Sequence, residues 1–190
     1  MRRGRKRQFI IDASSLMILV RYLLPFDEDG TLRRLILSCF DDGRLILLAR
    51  IAWEVRKVPA LSGENGLLNG LEDKQKGDVF LDEIQDRVKY KWTKPRRLKK
   101  LLPDRLEAVY KAYTKKGDYQ LLAYWLDMRA KKPEKDLMII TEETLHDNDP
   151  KDFQKIPAIC LSENIPCGDL MDFLRMQGVR ARFRIAEQKG

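Results

Sequence analysis

Phe9-Ile10-Ile11-Asp12-Ala13-Ser14-Ser15 is the stretch that decides how this chain is read. Three apolar residues, two of them β-branched, make the pattern of a buried strand. An aspartate ends the run and small residues follow. Leu16-Met17-Ile18-Leu19-Val20 then opens an apolar segment with helical spacing, ended by Pro25. Strand, acid, turn and helix thus succeed one another directly. In an open α/β sheet, ligands bind outside the carboxyl ends of the strands, so an acid at this place faces the binding crevice. Asp12 is equally suited to be a helix N-cap, its carboxylate accepting a free backbone N–H. The two roles are compatible, and other acids arriving at the same place would favour the first.

Outward from this stretch, Leu45-Ile46-Leu47-Leu48-Ala49 and Leu137-Met138-Ile139-Ile140 are further apolar runs of strand length. A sheet covered on both faces requires such runs. Ile156-Pro157-Ala158-Ile159-Cys160 reads as a last strand at the sheet edge, because proline cannot donate to a ladder. Helical patterns lie between them. The spacing predicts a helix over 31–40 capped by Thr31, another containing Ile51, Trp53 and Glu54, and an amphipathic helix over 78–92. It also predicts helices over 103–116 closed by Gly117, over 119–130 capped by Asp118, and over 170–178. The glycine-scattered stretch 59–77 reads as loop or weak helix, in the manner of a flap. Strands alternating with helices specify an α/β fold with a mostly parallel sheet. At 190 residues one domain is expected, with a basic tail over 1–8, a helical and basic insertion over 59–102, and a basic tail over 179–190.

Apolar content of 44% supports a core, and the net charge of +8 favours a polyanionic partner: RNA, DNA or an acidic protein. Cys39, Cys160 and Cys167 are too few and too irregularly spaced for a disulfide framework, and with His146 alone to help them they disfavour a zinc site. Arg2, Arg3, Arg5, Lys6 and Arg7 precede an apolar run as in an export signal, but Asp12 and Arg21 interrupt that run. The expectation is a cytoplasmic protein with no membrane partner. Residues 87–100 carry eight basic side chains with Tyr90 and Trp92 interleaved. Lys94, Arg96, Arg97, Lys99, Lys100 and Trp92 are therefore the expected nucleic-acid contacts, cations tracking phosphates and an aromatic stacking on bases. A solvated helix end accounts for the same charges. Trp53 and Trp125 read as core.

Four carboxylates have related surroundings. Asp12 and Glu143 follow buried strands, Glu54 opens a helix after a buried strand, and Asp118 opens a helix after Gly117. Parallel strands bring their carboxyl ends to one side of the sheet, where these acids can meet. Clustered carboxylates repel one another unless a cation intervenes. Oxygen-only donors suit Mg²⁺ or Mn²⁺. Glu54 also fits an ordinary first-turn acid favoured by the helix dipole.

F-I-I-D-A-S-S, the acid in I-A-W-E-V, G-D opening a helix and an apolar strand running into T-E-E together resemble the PIN-domain family of nucleases, in order and rough spacing over most of the chain. K-I-P-A-I-C followed by D-L-M-D-F-L is further similar to a prokaryotic branch of PIN-like proteins. The resemblance implies a three-layer α/β/α domain and Mg²⁺- or Mn²⁺-dependent cleavage of RNA, with DNA left open. It implies Asp12, Glu54 and Asp118 as metal-binding acids and Ser14 beside them. Counting two residues on from the strand-end Thr141 places the fourth catalytic acid on Glu143, with Glu142 and Asp147 as alternatives. The family usually has aspartate there. Glutamate is longer by one C–C bond, about 1.5 Å, which suits a water-bridged contact as well as direct ligation. His146 reads as a solvated loop histidine or a proton carrier. Many members of that family are toxins held by an antitoxin protein, usually as homodimers, and the resemblance raises both partners here. A binding or interaction module that kept the fold without the chemistry is the competing expectation.

Overall fold

In the computed structural model, which describes residues 7–100, 102–145 and 151–180, Gln8–Ile11 is the central strand β1. Helix α1 (Ala13–Ile18) follows and runs through a π turn over Leu19–Leu23 into a 3₁₀ turn at Leu24–Phe26. Helix α2 (Thr31–Asp41) leads to strand β2 (Leu45–Ile46) and helix α3 (Ala49–Glu54). The middle of the chain adds short helices α4 (Pro59–Ser62) and α5 (Pro95–Leu98), then α6 (Pro103–Tyr113) and α7 (Gly117–Lys131). Strand β3 (Leu137–Ile140), helix α8 (Ile156–Glu163), strand β4 (Cys167–Gly168) and helix α9 (Leu170–Met176) complete it. The four strands are all parallel, in the order β2-β1-β3-β4, and helices flank the sheet. This is a three-layer α/β/α fold, as the alternation of patterns requires.

The strand order locates the crevice. From β1 the chain crosses to β2 on one side, and β3 and β4 build the other side, so the order reverses between β1 and β3. Ligands bind at such switch points. Ile11 pairs with Ile140, and the Asp12 N–H donates to the Ile140 carbonyl at 2.9 Å. Asp12 and Thr141 therefore leave the sheet side by side at the switch point.

The core is the one the apolar runs imply. All but the first residue of β1, and all of β2 and β3, are buried, and Phe9 meets Phe173 of α9 edge-on with ring centroids 5.0 Å apart. Trp125 is core as expected, its indole N–H donating to the Leu137 carbonyl at 2.9 Å. The stretch 59–77 is irregular, but Leu61, Leu67, Leu68 and Leu71 are buried. Backbone bonds tie Lys76 to Leu47 and Ala49 beyond β2, so this stretch is packed against the body rather than a free flap.

Several expectations are corrected. Residues 156–160 form the start of α8 instead of an edge strand. Pro157 stands in the first turn, where its missing N–H is not needed. Ile156, Ile159 and Cys160 are buried at helical spacing. The actual edge is the two-residue β4, too short to leave a periodic trace. Residues 78–92 are not one helix: the Val79 N–H donates to Gln120 Oε1 at 2.7 Å and the segment stays extended before a 3₁₀ turn at Asp82–Ile84 and a π turn at Arg87–Trp92. The cap of α2 is Gly30, in the left-handed conformation, with Asp27 accepting from the N–H groups of Leu32 and Arg33. Gly117 begins α7 rather than closing α6, and Lys116, not Asp118, is the N-cap. Trp53 is 52% exposed and not core. Among the described residues no helix is long and apolar enough to cross a membrane.

Candidate functional site

Of the two roles its sequence position suggests, the structure shows Asp12 in the cap. It is the N-cap of α1, Oδ1 accepting from the Ala13 N–H at 2.7 Å. Its other oxygen accepts from Ser14 Oγ at 2.6 Å and from Thr141 Oγ1 at 2.9 Å. Burial raises the Asp12 carboxyl above its ordinary value and the Glu143 charge adds to the rise, while the three hydrogen bonds oppose it. Ser14 and Thr141 thus fix the orientation of this carboxylate.

Asp118 comes to the same place from the start of α7. Burial raises its carboxyl to about 6, and the charges of Glu143, Asp12 and Glu54 push in the same direction against Lys151. Three acids from separate parts of the chain thus act on Asp118. Glu54 ends α3 instead of opening a helix, and its Oε1 accepts from the Gly117 N–H at 2.8 Å. A Cβ on residue 117 would lie 2.7 Å from Glu54 Oε2 and 2.5 Å from Ile51 Cδ1. Only glycine lets α3 and α7 approach this closely, and this role of Gly117 is what the G-D pair conceals in the sequence.

Glu143 is engaged on both oxygens. Oε2 accepts from the Ile156 N–H at the start of α8 at 2.9 Å, and Oε1 pairs with Lys151 at 3.1 Å. Glu142 turns away: its Oε1 accepts from Ser15 Oγ at 3.0 Å and from the Leu170 N–H of α9 at 2.8 Å, so it is a structural acid. Asp147 and His146 lie outside the described residues, as do Arg2, Arg3, Arg5, Lys6 and the tail beyond Arg180.

The donor set fits a hard divalent cation in its chemistry. It is all oxygen and carries several negative charges. Among the described residues nothing donates a hydrogen bond to the Asp118 carboxylate. The Tyr113 hydroxyl, buried within reach of the Asp118 and Glu143 charges, also lacks a partner among them. In this conformation, however, no three His, Cys, Asp or Glu groups among the described residues are gathered closely enough to hold an ion. The acids are within electrostatic reach of one another without forming a ligand shell.

The basic segment is partly what its sequence suggests. Arg96, Arg97, Lys99 and Lys100 are exposed on and after α5, and Lys94 is half-buried. Trp92 cannot stack on bases: it is 0% exposed and its indole N–H donates to Glu163 at 3.1 Å. Tyr90, 61% exposed, is the aromatic this segment presents. Bonds from the Lys94 N–H to the Asp152 carbonyl and from the Gln154 N–H to the Trp92 carbonyl tie the segment to the strip following Lys151, the partner of Glu143.

A family model described as a domain of unknown function, DUF4411, matches residues 9–181. The chain belongs to this family. No curated protein and no solved structure matches the chain. The DUF4411 match runs from the second residue of β1 past the end of α9, so all four acids and the basic segment fall within it.

Proposed function

We propose that this DUF4411 chain is a Mg²⁺- or Mn²⁺-dependent ribonuclease of PIN-like type. What supports the reading is that the charges of Glu143, Asp12 and Glu54 all act on Asp118, adding to the rise in its carboxyl that burial begins. Such repulsion persists in a fold when a cation relieves it. The order of these acids in the resemblance to PIN-domain nucleases and the net charge of +8 support the same reading.

Asp12, Glu54 and Asp118 would hold the ion, and Glu143 would reach it directly or through water. A bound Mg²⁺ or Mn²⁺ supplies Lewis-acid polarisation of a phosphate and a water acidified toward neutral pH. The chain does the rest. Ser14 and Thr141 aim Asp12, and the Gly117 N–H aims Glu54. Arg96, Arg97, Lys99 and Lys100 bring the polyanion to the acids. End-labelled RNA incubated with the protein and Mn²⁺ or Mg²⁺ should be cut, and EDTA should stop the cutting. RNA left whole with every divalent ion tried rejects the enzyme.

One observation favours a second reading, a binding module without catalysis: both Glu143 oxygens already serve Lys151 and the start of α8. The binding surface separates the readings. Arg96→Ala with Arg97→Ala should reduce the salt dependence of RNA binding by about 1.4 in log–log slope, about 0.7 for each lost phosphate contact on a single strand. If that pair weakens binding and RNA is never cut, the second reading takes the place of the first.

A further inference from the structure

The residue before Glu54 on α3 is an exposed tryptophan. On α3 and just beyond it, Ile51 and Val55 face the core, while Trp53 turns outward with half of its surface in solvent. Trp53 is not a bare apolar residue. The Arg56 guanidinium lies 3.6 Å from the ring centroid, and its Nη1 donates to the Trp53 carbonyl at 2.6 Å. Arg50 lies 5.4 Å from the same ring, paired with Asp78 at 3.1 Å, and Lys57 is exposed next to Arg56. An aromatic ring and three cations thus share one short segment.

This segment is joined to the acid cluster by a single peptide bond. Trp53 directly precedes Glu54, whose carboxylate is bonded to the first residue of α7, next to Asp118. The two parts of the platform call for two chemistries in one ligand. Arg56 lies over one face of the indole and leaves the opposite face for stacking, while Arg56 and Lys57 attract anions; Arg50 is already paired with Asp78. An acidic protein supplies the anions without regularly placed flat rings. A paired duplex supplies phosphates but keeps its base faces stacked inside. A single strand supplies both, since every unpaired base has a π-face and each is flanked by phosphates. Arginine beside the ring strengthens such stacking.

We infer that Trp53, with Arg56 beside it, is a base-stacking subsite for an unpaired nucleotide next to the acid cluster. The inference rests on the proposed nuclease reading for its ligand class and goes beyond it in naming the residue and the strandedness. The test is made in EDTA, so that binding is measured apart from cleavage. A fluorophore-labelled single-stranded RNA oligonucleotide and the duplex of the same sequence are titrated with wild-type protein, Trp53→Ala and Trp53→Phe, read by anisotropy. Trp53→Ala should weaken single-strand binding about 5- to 150-fold, the range for loss of one base stack. Trp53→Phe should recover most of the affinity, and duplex binding should change little. Unlabelled oligonucleotide should also quench tryptophan emission in the wild type and not in Trp53→Phe, because Trp92 and Trp125 are buried. Equal single-strand affinity in wild type and Trp53→Ala overturns the subsite, as does equal loss for single strand and duplex. RNA cutting with no Trp53 dependence of binding removes the subsite and leaves the nuclease. Trp53-dependent binding with no cutting does the reverse.

Discussion

Asp12→Asn should lower metal-dependent RNA cleavage by roughly 10²- to 10⁴-fold while leaving the fold intact. The magnitude follows from what is removed: a bound cation stabilises transition-state charge by several kcal/mol, and each 1.36 kcal/mol is tenfold in rate. Asparagine preserves the local geometry. Its carbonyl oxygen can accept from the Ala13 N–H as Oδ1 does now, and its NH₂ can donate to Ser14 and Thr141 after their hydroxyls rotate. The cap of α1 and the seam between β1 and β3 therefore survive. Because burial already opposes the Asp12 charge, the neutral amide should melt at the same temperature as the wild type or higher. A cleavage assay paired with a thermal melt reads both effects. Undiminished cleavage by a folded Asp12→Asn protein removes Asp12 from the metal-binding set.

The metal-free protein should become less stable as pH rises from about 4 to about 6, and Asp118→Asn should remove much of that loss. In the folded chain the Asp118 carboxyl is raised from its ordinary 3.8 to about 6. Between those values the folded state binds more protons than the unfolded state, so stability falls with rising pH. Below about pH 4 both states are protonated and the cost vanishes. Above about pH 6 it is present in full, about 1–3 kcal/mol after allowance for the residue's partial contact with solvent. Asp12 is raised in the same sense and adds to the slope. Urea melts from pH 4 to pH 8 measure it, and identical profiles for wild type and Asp118→Asn contradict the electrostatic account. Mn²⁺ at pH 7.5 should raise the wild-type melting temperature through its binding to the folded state. The rise should shrink in Asp118→Asn.

Two tryptophans exchange the roles their sequence contexts suggest. Trp92 stands among lysines and arginines and reads as a surface stacker, yet it is buried. Its partner, Glu163, is far along the chain, and nothing near residue 92 announces that contact. Trp53 stands among apolar residues and reads as core, yet it faces solvent because a short helix cannot bury every apolar side. Residues 156–160 went the same way. An apolar run containing proline fits an edge strand or a helix start, and only its packing chooses between them.

What Phe9–Ser15 determined by itself was local: a β-branched run makes a strand, and an aspartate after it makes a cap. The order of strands and helices, and with it the three-layer class, came from periodicities of the same short range. Which acids meet was a matter for the tertiary structure alone. The switch between β1 and β3 sets Asp12 beside Thr141, and the absent side chain of Gly117 draws Glu54 against the start of α7. The starts of α8 and α9 take up oxygens of Glu143 and Glu142. Each of these contacts joins residues from different elements, and a carboxylate's role depends on what stands within a few ångströms of it, which the neighbours in sequence do not specify.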